Sequence, residues 1–365
     1  MGRVSTFGQH LYEGKVSFNF VGRRTLWYSI SAVIVILASV AFGVRGFNLG
    51  IEFKGGVEFT AQVQTANAKT ADDLANAVRD AGVPETGDPI SRTSGSSAIR
   101  IQTRALTQDQ ATVIQDALTT AGATEVSQNL IGPSWGEQVA KKALTGLVVF
   151  LVIVVIFIWI YFREWRMSVA ALVALGHDLL ITAGIYAWSG FEVTPATVTG
   201  LLTILGYSLY DTVVVFDKVR ENTKQIPDST ISTYSEQANL AVNQTLVRSI
   251  NTSITALLPV FALLVVGAAV LGTGPLKDLA LALFVGMAAG TYSSICIATP
   301  LAAQLKESDP MIVQHTKRVL ARRAKRQAAP ATDPVAVART VAPSGSSKRS
   351  QPSRTSRSQR PKGGS

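Results

Sequence analysis

Cysteine, histidine and charged residues are all scarce in this chain of 365 residues. The single cysteine, Cys296, excludes an intramolecular disulfide and a cysteine-based zinc cluster. Three scattered histidines, His10, His177 and His315, argue against a histidine metal centre, so we predict no metal and no cofactor. Charged residues make up only 16% of the chain and apolar residues 47%, which argues against a soluble globular enzyme.

The net charge of +10 is concentrated at the C-terminal end. Residues 317–365 contain 13 Lys or Arg and one acid, Asp333, so the other 316 residues sum to −2. This distribution does not favour nucleic acid as a partner of the body of the protein. Lys317–Arg326 is predicted to form a short basic amphipathic helix on anionic lipid headgroups. Residues after Ala328 are rich in Pro, Ser and Arg and are predicted to be disordered; ribosome or nucleic-acid contact is the alternative for this tail.

A helix needs about 20 apolar residues to cross the hydrocarbon core of a bilayer. Six segments meet this requirement, and we number them as spans in chain order: Leu26–Val44, Leu144–Phe162, Ser168–Trp188, Pro195–Phe216, Thr252–Leu271 and Asp278–Ala303. The first is too long for the core of a cleavable signal and is preceded by about 25 residues, so we interpret it as an uncleaved anchor. The sequence therefore predicts a polytopic α-helical membrane protein with six transmembrane helices.

Lys and Arg in short loops indicate which side of the membrane is cytoplasmic. They occur before the first span, between the second and third, and between the fourth and fifth, whereas the opposite side has only Lys277 in its short loops. Both termini are therefore predicted to be cytoplasmic. The resulting division is a cytoplasmic N-terminal segment (1–25), the first transmembrane helix (26–44), an extracytoplasmic domain (45–143), a bundle of helices two to six (144–305) and a basic, largely disordered cytoplasmic tail (306–365).

The extracytoplasmic domain has the pattern strand, helix, strand, strand, helix, strand, which is typical of a ferredoxin-like α+β module. Its first helix is predicted over Thr70–Gly82 with Thr70 as the cap, and Thr107 with Gln110 predicts a capping box for the second. The domain holds no His, no Cys and no paired carboxylate motif. We interpret it as a binding or lever domain without chemistry of its own.

Three charged residues lie where the bilayer disfavours charge, at a cost of about 2.5–3.5 kcal/mol each. Asp178 follows His177 inside the third span, Asp211 lies deep in the fourth, and Arg248 opens the fifth. An aspartate that gains and loses an arginine partner during a cycle could load and release a proton. The alternatives are that Asp211 only pairs with Arg248 to hold helices together, and that His177–Asp178 caps a packed helix or bonds across an interface.

Small and hydroxylated residues accompany these charges. In the fourth span Gly206, Ser208 and Thr212 belong to a face that lets water or another helix approach Asp211. In the sixth span Gly286, Gly290 and Ser294 recur at four-residue spacing, which predicts close helix packing.

Several motifs together resemble the SecF family, the smaller partners of SecD in bacterial protein export. They lie in family order over about residues 16–305: VSFNFVGRR (Val16–Arg24), GIEFKGG (Gly50–Gly56), IGPSWG (Ile131–Gly136), GHD (Gly176–Asp178), GYSLYDTVVVFDKVREN (Gly206–Asn222) and GTYSSICIA (Gly290–Ala298). The long fourth-span motif is highly specific, whereas IGPSWG alone would be a weak signal. The resemblance does not cover the basic tail.

The resemblance implies an accessory, non-enzymatic subunit in the bacterial plasma membrane. It implies a complex with SecD and with the SecYEG channel, and use of the proton motive force (sodium in some members) to promote late translocation of secreted preproteins. Asp211 corresponds to the family's functional aspartate and Arg248, by a looser alignment, to its functional arginine.

Three other functions are compatible with the residues. A self-sufficient proton-coupled small-molecule exporter is the main alternative, because the family shares its membrane architecture with resistance–nodulation–division transporters. An intramembrane aspartyl protease is disfavoured since no Gly-x-Gly-Asp occurs. A scaffold for SecD is the third.

Overall fold

The computed structural model describes residues 10, 11, 13, 15–226, 231–269 and 275–328. The chain divides into two compact units, residues 1–316 and 317–365. In the second unit, the predicted basic helix is present as the C-terminal part of a helix over Pro310–Ala328. The stretch after Ala328 that is predicted to be disordered lies outside the described residues.

Six helical spans are long and apolar enough to cross a membrane, as the sequence predicts. The first five are single helices, and the sixth consists of a helix, a π-helical segment and a second helix. Their bounds are Arg24–Arg45, Pro133–Phe162, Trp165–Ser189, Pro195–Thr223, Tyr234–Ala269, and then Pro275–Ser293, Ser294–Ala298 and Thr299–Glu307.

Two spans begin well before their apolar segments. The second starts at Pro133 rather than Leu144, and the fifth at Tyr234 rather than Thr252. Hydropathy detects only the part of a helix that fits the bilayer core, whereas the helix itself continues as far as capping and packing support it. The predicted domain boundary at residue 143 therefore cuts a continuous helix. For the same reason Arg248 lies inside the fifth helix and does not open it, contrary to the sequence prediction.

The polar start of the fifth span is stabilised by its own cap. The Thr233 hydroxyl accepts from the Glu236 amide at 3.3 Å, while the Glu236 carboxylate accepts from the Thr233 amide at 2.9 Å. These reciprocal bonds form a capping box, which the T-x-x-E pattern at this place encodes.

Two asparagines on the same helical face hold the segment that precedes the first span. Asn243 accepts from the amide of Phe18 at 2.7 Å and donates to its carbonyl at 2.9 Å. One turn earlier, Asn239 accepts from the amides of Phe20 and Val21 at 2.8 and 3.1 Å. The side-chain amides of the two asparagines thus supply this backbone segment with the hydrogen bonds that a neighbouring strand would otherwise supply.

The domain between the first and second spans has the predicted order of elements. The elements are β2 (Gly56–Gln62), α1 (Ala68–Asp80), β3 (Ile90–Ser94), β4 (Ala98–Thr103), α2 (Gln108–Thr120) and β5 (Glu125–Ile131), and the short β1 (Asn48–Leu49) precedes them. The four-stranded antiparallel sheet has the spatial order β3-β4-β2-β5, and the buried faces of the two helices contribute to its apolar core.

The predicted cap is confirmed for one of the two domain helices and wrong for the other. The capping box of Thr107 and Gln110 is confirmed at the start of α2. The prediction that Thr70 caps α1 is wrong, because the helix begins three residues earlier and the side chain of Asn67 accepts from the Thr70 amide at 2.8 Å. Asn is the stronger N-cap of the two, so the chain enters the helix at the earlier residue.

A pair of glycines joins this domain to the second span. Gly55 has φ +74°, and a Cβ there would lie 2.7 Å from the Cα of Pro133. Gly56, with φ +149°, opens β2, and a Cβ there would lie 2.6 Å from the carbonyl oxygen of Thr103. A side chain at Gly55 would therefore push the domain away from the start of the second helix, and one at Gly56 would push β2 away from Thr103.

The domain also contacts the loop between the third and fourth spans. There β1 pairs in parallel with β6 (Glu192–Val193). The Glu192 carboxylate, 7% exposed, accepts from Gln102 and Arg92 of the sheet, each at 3.1 Å, and lies 3.9 Å from Arg100. Arg100 is also bonded to Glu58. A buried carboxylate from the membrane bundle is thereby neutralised by cations of the outer sheet.

The surrounding charges also affect the basicity of Arg100. Burial alone would lower the pKa of its guanidinium, but the bond to Glu58 and the charges of Glu58, Glu192 and Asp278 raise the pKa overall. The cation is therefore retained in this half-buried place, which keeps the contact charged on both sides.

We expect Glu192→Ala to loosen the sheet domain from the membrane bundle. Removing the carboxylate leaves Arg92 without its partner, while Arg100 keeps its bond to Glu58. Since Arg92 is partly exposed, we expect a loss of about 1–3 kcal/mol, less than the ~3–5 kcal/mol that breaking a fully buried pair costs. Faster amide hydrogen exchange in β3 and β4 would report it. Asp88→Ala is the matched control, because its partner Arg79 is exposed. Unchanged exchange in Glu192→Ala would contradict the assignment.

Candidate functional site

The third, fourth and sixth spans meet at Asp178, whose side chain is 1% exposed. Its Oδ2 accepts from the hydroxyl of Ser208 at 2.6 Å and from that of Ser293 at 2.8 Å. Its Oδ1 lies 3.2 Å from Nδ1 of His177. Hydroxyl groups from two neighbouring helices therefore hold the carboxylate. This arrangement matches one alternative from the sequence analysis, in which the His177–Asp178 pair bonds across a helix interface.

His177 is buried beside this carboxylate. Its ring stacks on Tyr292 of the sixth span, with the centroids 5.9 Å apart. Within the described part of the chain, its Nε2 has no hydrogen-bond partner. A buried imidazole nitrogen without a partner is costly, so this ring is a candidate for a proton-handling group.

Asp211 of the fourth span is buried in the same way, at 7% exposure. Its Oδ1 accepts from Ser249 of the fifth span at 2.7 Å, and its Oδ2 accepts from Ser294 of the sixth at 2.5 Å. Hydroxyl groups again supply the hydrogen bonds that the carboxylate loses when it leaves water.

Arg248 does not meet Asp211 in this conformation. Its side chain is exposed and donates to the hydroxyl of Tyr210 at 3.2 Å. The sequence alternative of an Asp211–Arg248 pair that holds helices together is therefore wrong for this state. The reason is helical phase: Ser249, the next residue, points to the carboxylate, and adjacent residues on a helix are about 100° apart.

The sixth span packs closely on the fourth through its glycines, as predicted. A Cβ on Gly286 would lie 1.9 Å from Ile204 Cδ1, and one on Gly290 would lie 2.8 Å from Ser208 Cβ. On the fourth span, a Cβ on Gly206 would meet no atom within 4 Å, whereas Thr212 is buried. Close approach at Gly290 is what brings Ser208 and the sixth span to the same carboxylate.

The sixth span changes from α- to π-helix at Ser294, where the serines contact the carboxylates. Pro300 lacks the amide that would bond to the carbonyl of Cys296, so a regular helix cannot continue through this turn. Within the same turn, the hydroxyl of Thr299 donates to the carbonyl of Ser294 at 3.0 Å. π-helical turns occur preferentially at functional sites, and this one orients the serine pair.

Sequence reasoning found both aspartates but missed two of their partners. Ser249 lies outside the predicted fifth span, because the apolar segment begins at Thr252, 18 residues after the helix itself starts at Tyr234. Ser293 was overlooked although it adjoins the predicted Ser294, and the polar tripeptide Tyr292–Ser294 in an apolar span was the available signal. Within residues 10–328, as far as they are described, no cluster of three or more His, Cys, Asp or Glu could hold a metal ion.

Two family models match this chain. One, described as the C-terminal part of the protein export membrane proteins SecD and SecF, covers residues 112–308, and the other, the SecD/SecF GG motif, covers residues 40–66. The second includes the glycine pair at the join between the sheet domain and the second span.

Named relatives match most of the chain. It is 50% identical over 328 residues to protein translocase subunit SecF of Streptomyces coelicolor, covering 89% of this chain and 86% of that protein. It is 44% identical over 328 residues to the subunit of the same name of Mycobacterium tuberculosis H37Rv, covering 87% and 74%.

A solved structure has the same fold. The crystal structure of SecDF from Thermus thermophilus, described as a translocon-associated membrane protein, matches with a TM-score of 0.69 and 32% identity. The match covers 80% of this chain and 39% of that one.

Six apolar helices around two buried, hydroxyl-bonded carboxylates define a multi-pass helical protein of the bacterial membrane. Within that class, the motif, sequence and structure matches agree on one family. The chain belongs to the SecD/SecF family of protein-export membrane proteins.

Gly290→Ala should disturb the site by steric conflict alone. The new Cβ would lie 2.8 Å from Ser208 Cβ and 3.0 Å from its Oγ, so the hydroxyl must move away from Asp178. Overpacking of this kind costs about 1–3 kcal/mol, and we expect a lower melting midpoint in detergent. Gly206→Ala, which meets open space on the fourth span, should leave the midpoint unchanged. Equal midpoints in both variants would contradict the packing described here.

Proposed function

We propose that this chain is an accessory subunit of the Sec machinery that uses an ion gradient, most directly of protons, to promote late translocation of secreted preproteins through SecYEG. The observation that carries the ion coupling is the arrangement of two carboxylates, Asp178 and Asp211, deep among the spans with only hydroxyl and imidazole partners. Carboxylates held among membrane spans by hydroxyl and imidazole groups are typical of ion pathways.

Arg248 fits this proposal as a conditional partner. It lies one residue from Ser249, which contacts Asp211, and its own side chain is at the exposed edge of the fifth span. A rotation of the fifth span would bring the guanidinium towards the carboxylate and favour release of the proton. His177, whose Nε2 has no hydrogen-bond partner among the described residues, is proposed to pass protons to Asp178.

SecD is the proposed partner, and an exposed polar face supports it. Thr199, Thr203 and Tyr210 lie on one side of the fourth span, and Arg248 and Asn251 continue it on the fifth. Polar groups that face hydrocarbon are costly, so we expect another membrane protein to bind this face. The chain spans 39% of the Thermus SecDF structure, and the name of that protein places both parts in one polypeptide.

The orientation and the outer domain complete the proposal. Ion pairs tie the first span, the second-to-third loop and the end of the sixth span together at one end, namely Arg24–Glu307, Lys306–Glu164 and Arg166–Asp309. We propose this end as cytoplasmic, with both termini, because it carries the short loops rich in Lys and Arg.

The sheet domain lies at the opposite end and would therefore be extracytoplasmic. Its strand order and its two helices support a ferredoxin-like module. We further propose that the basic helix within Pro310–Ala328 binds anionic lipid.

Asp211→Asn is expected to abolish gradient-dependent stimulation of export while assembly with SecD is retained, because Asn keeps the shape but cannot ionise. Preprotein export into inverted membrane vesicles, with and without a proton or sodium gradient, measures this. Asp217→Asn, on the same helix but bonded to Tyr161 at 2.8 Å near its end, is the control.

Full gradient dependence in Asp211→Asn would refute the coupling role. Solute efflux by the purified chain alone would favour the exporter alternative instead.

Thr203→Trp should weaken co-purification with SecD, because a large side chain on the polar face would block the partner helix. Leu180→Trp, at a 48% exposed position of the third span, is the matched control and should leave the complex intact. Tandem-affinity purification measures the effect as the amount of SecD recovered relative to this chain. Equal recovery from both variants would show that SecD, if it binds, uses another face.

A further inference from the structure

The neighbouring serines of the sixth span divide between the two carboxylates. Ser293 donates to Asp178 and Ser294 donates to Asp211, at 2.8 and 2.5 Å. Both serines are fully buried. The fourth span touches the same two places, since it carries Asp211 itself and, one turn earlier, Ser208, which bonds to Asp178. The two carboxylates are therefore linked through the fourth and sixth spans, each of which contributes one group at Asp178 and one at Asp211.

Each serine has a second acceptor within reach. The hydroxyl of Ser293 lies 3.2 Å from the carbonyl of Gly290, and that of Ser294 lies 3.0 Å from the carbonyl of Thr291. A serine hydroxyl has only one proton to donate. While the neighbouring carboxylate is ionised, it is the better acceptor because it is charged. When the carboxylate is protonated, its own O–H can donate to the serine oxygen, and the serine proton is free to turn to the carbonyl.

We propose that Ser293 and Ser294 form a hydroxyl switch that converts the charge of the two carboxylates into a change in the sixth span. The two competing carbonyls lie in the last turn before the π-helical segment, where helix hydrogen bonding is already interrupted. Serine bonds to carbonyls of the preceding turn bend helices. A proton on either aspartate would thus alter the same turn of one helix, so the two sites act on a shared element.

The serines are positioning residues in this proposal, since they act through the aspartates. The inference rests on the proposed ion coupling, because it needs a carboxylate that changes charge. Other titratable side chains at this place are His177 on the third span and Tyr292 and Cys296 on the sixth, while Arg248 of the fifth span is exposed. Their presence requires that the spectroscopic bands be assigned by substitution.

The chain contains its own local probe. Cys296 is the single cysteine and lies within the π-helical segment, so its S–H stretching band reports on that turn alone. We would record infrared difference spectra between acidic and alkaline buffer for the full-length chain in lipid nanodiscs. Carboxylic C=O bands would be assigned with Asp178→Asn and Asp211→Asn.

In the parent chain we expect the S–H band to shift together with the carboxyl bands. In the Ser293→Ala, Ser294→Ala double variant the carboxyl bands should still titrate, but the S–H shift should be lost. Single variants should each uncouple one aspartate, and Ser293→Thr or Ser294→Thr, which keep the hydroxyl, should restore the shift. Ser253→Ala is the matched control, since that buried serine bonds to Thr291 at 2.6 Å and, in the part of the chain that the structure describes, to no carboxylate.

The outcomes separate the two proposals. Carboxyl bands that titrate in the parent without an S–H shift, or an S–H shift that persists in the double variant, would overturn the switch and leave the ion coupling standing. Carboxyl bands that never titrate would overturn both. If the double variant does not fold, the single alanine and threonine variants decide in the same way.

Discussion

The burial of two carboxylates without a cation beside them constrains much of the membrane bundle. A charged group that leaves water needs other hydrogen-bond donors, and inside the bilayer only neighbouring helices can supply them. Here the donors are serine hydroxyls, which are short and reach a carboxylate only when the helix backbones come close. Asp178 therefore requires the third, fourth and sixth spans to approach one another, and Asp211 requires the fourth, fifth and sixth to do so.

Glycine and proline meet this requirement in different ways. Gly286 and Gly290 remove the side chains that would hold the sixth span away from the fourth. Pro300 interrupts the regular hydrogen bonding of the same span, and the π-helical turn before it begins at Ser294, beside Asp211. The helix geometry and the positions of the polar groups are thus consequences of the same few residues.

Ion pairs hold the ends of the bundle together, whereas serine hydroxyls bond to the carboxylates at its centre. Outside the hydrocarbon core water lowers the cost of charge, so Glu192 can face arginines of the sheet domain, and the opposite end is held by three further ion pairs. Glu192 lies three residues before the start of the fourth span, and its carbonyl accepts from Thr197 in the first turn of that span at 3.3 Å. The helix that carries Asp211 is therefore connected to the outer sheet by a few short contacts.

The sequence by itself determined the six spans, the order of elements in the outer domain, the family and both buried aspartates, because each depends on local composition or on motifs contiguous in the chain. Tertiary structure decided which groups meet the aspartates. Arg248 was the expected partner of Asp211 on charge alone, but helical phase puts Ser249 there, and Ser293 comes from a span more than 100 residues away from Asp178. Hydropathy also placed the fifth helix too late, since caps and burial extend it beyond the apolar segment. Contacts between distant helices depend on backbone approach and rotation, which no short stretch of sequence encodes.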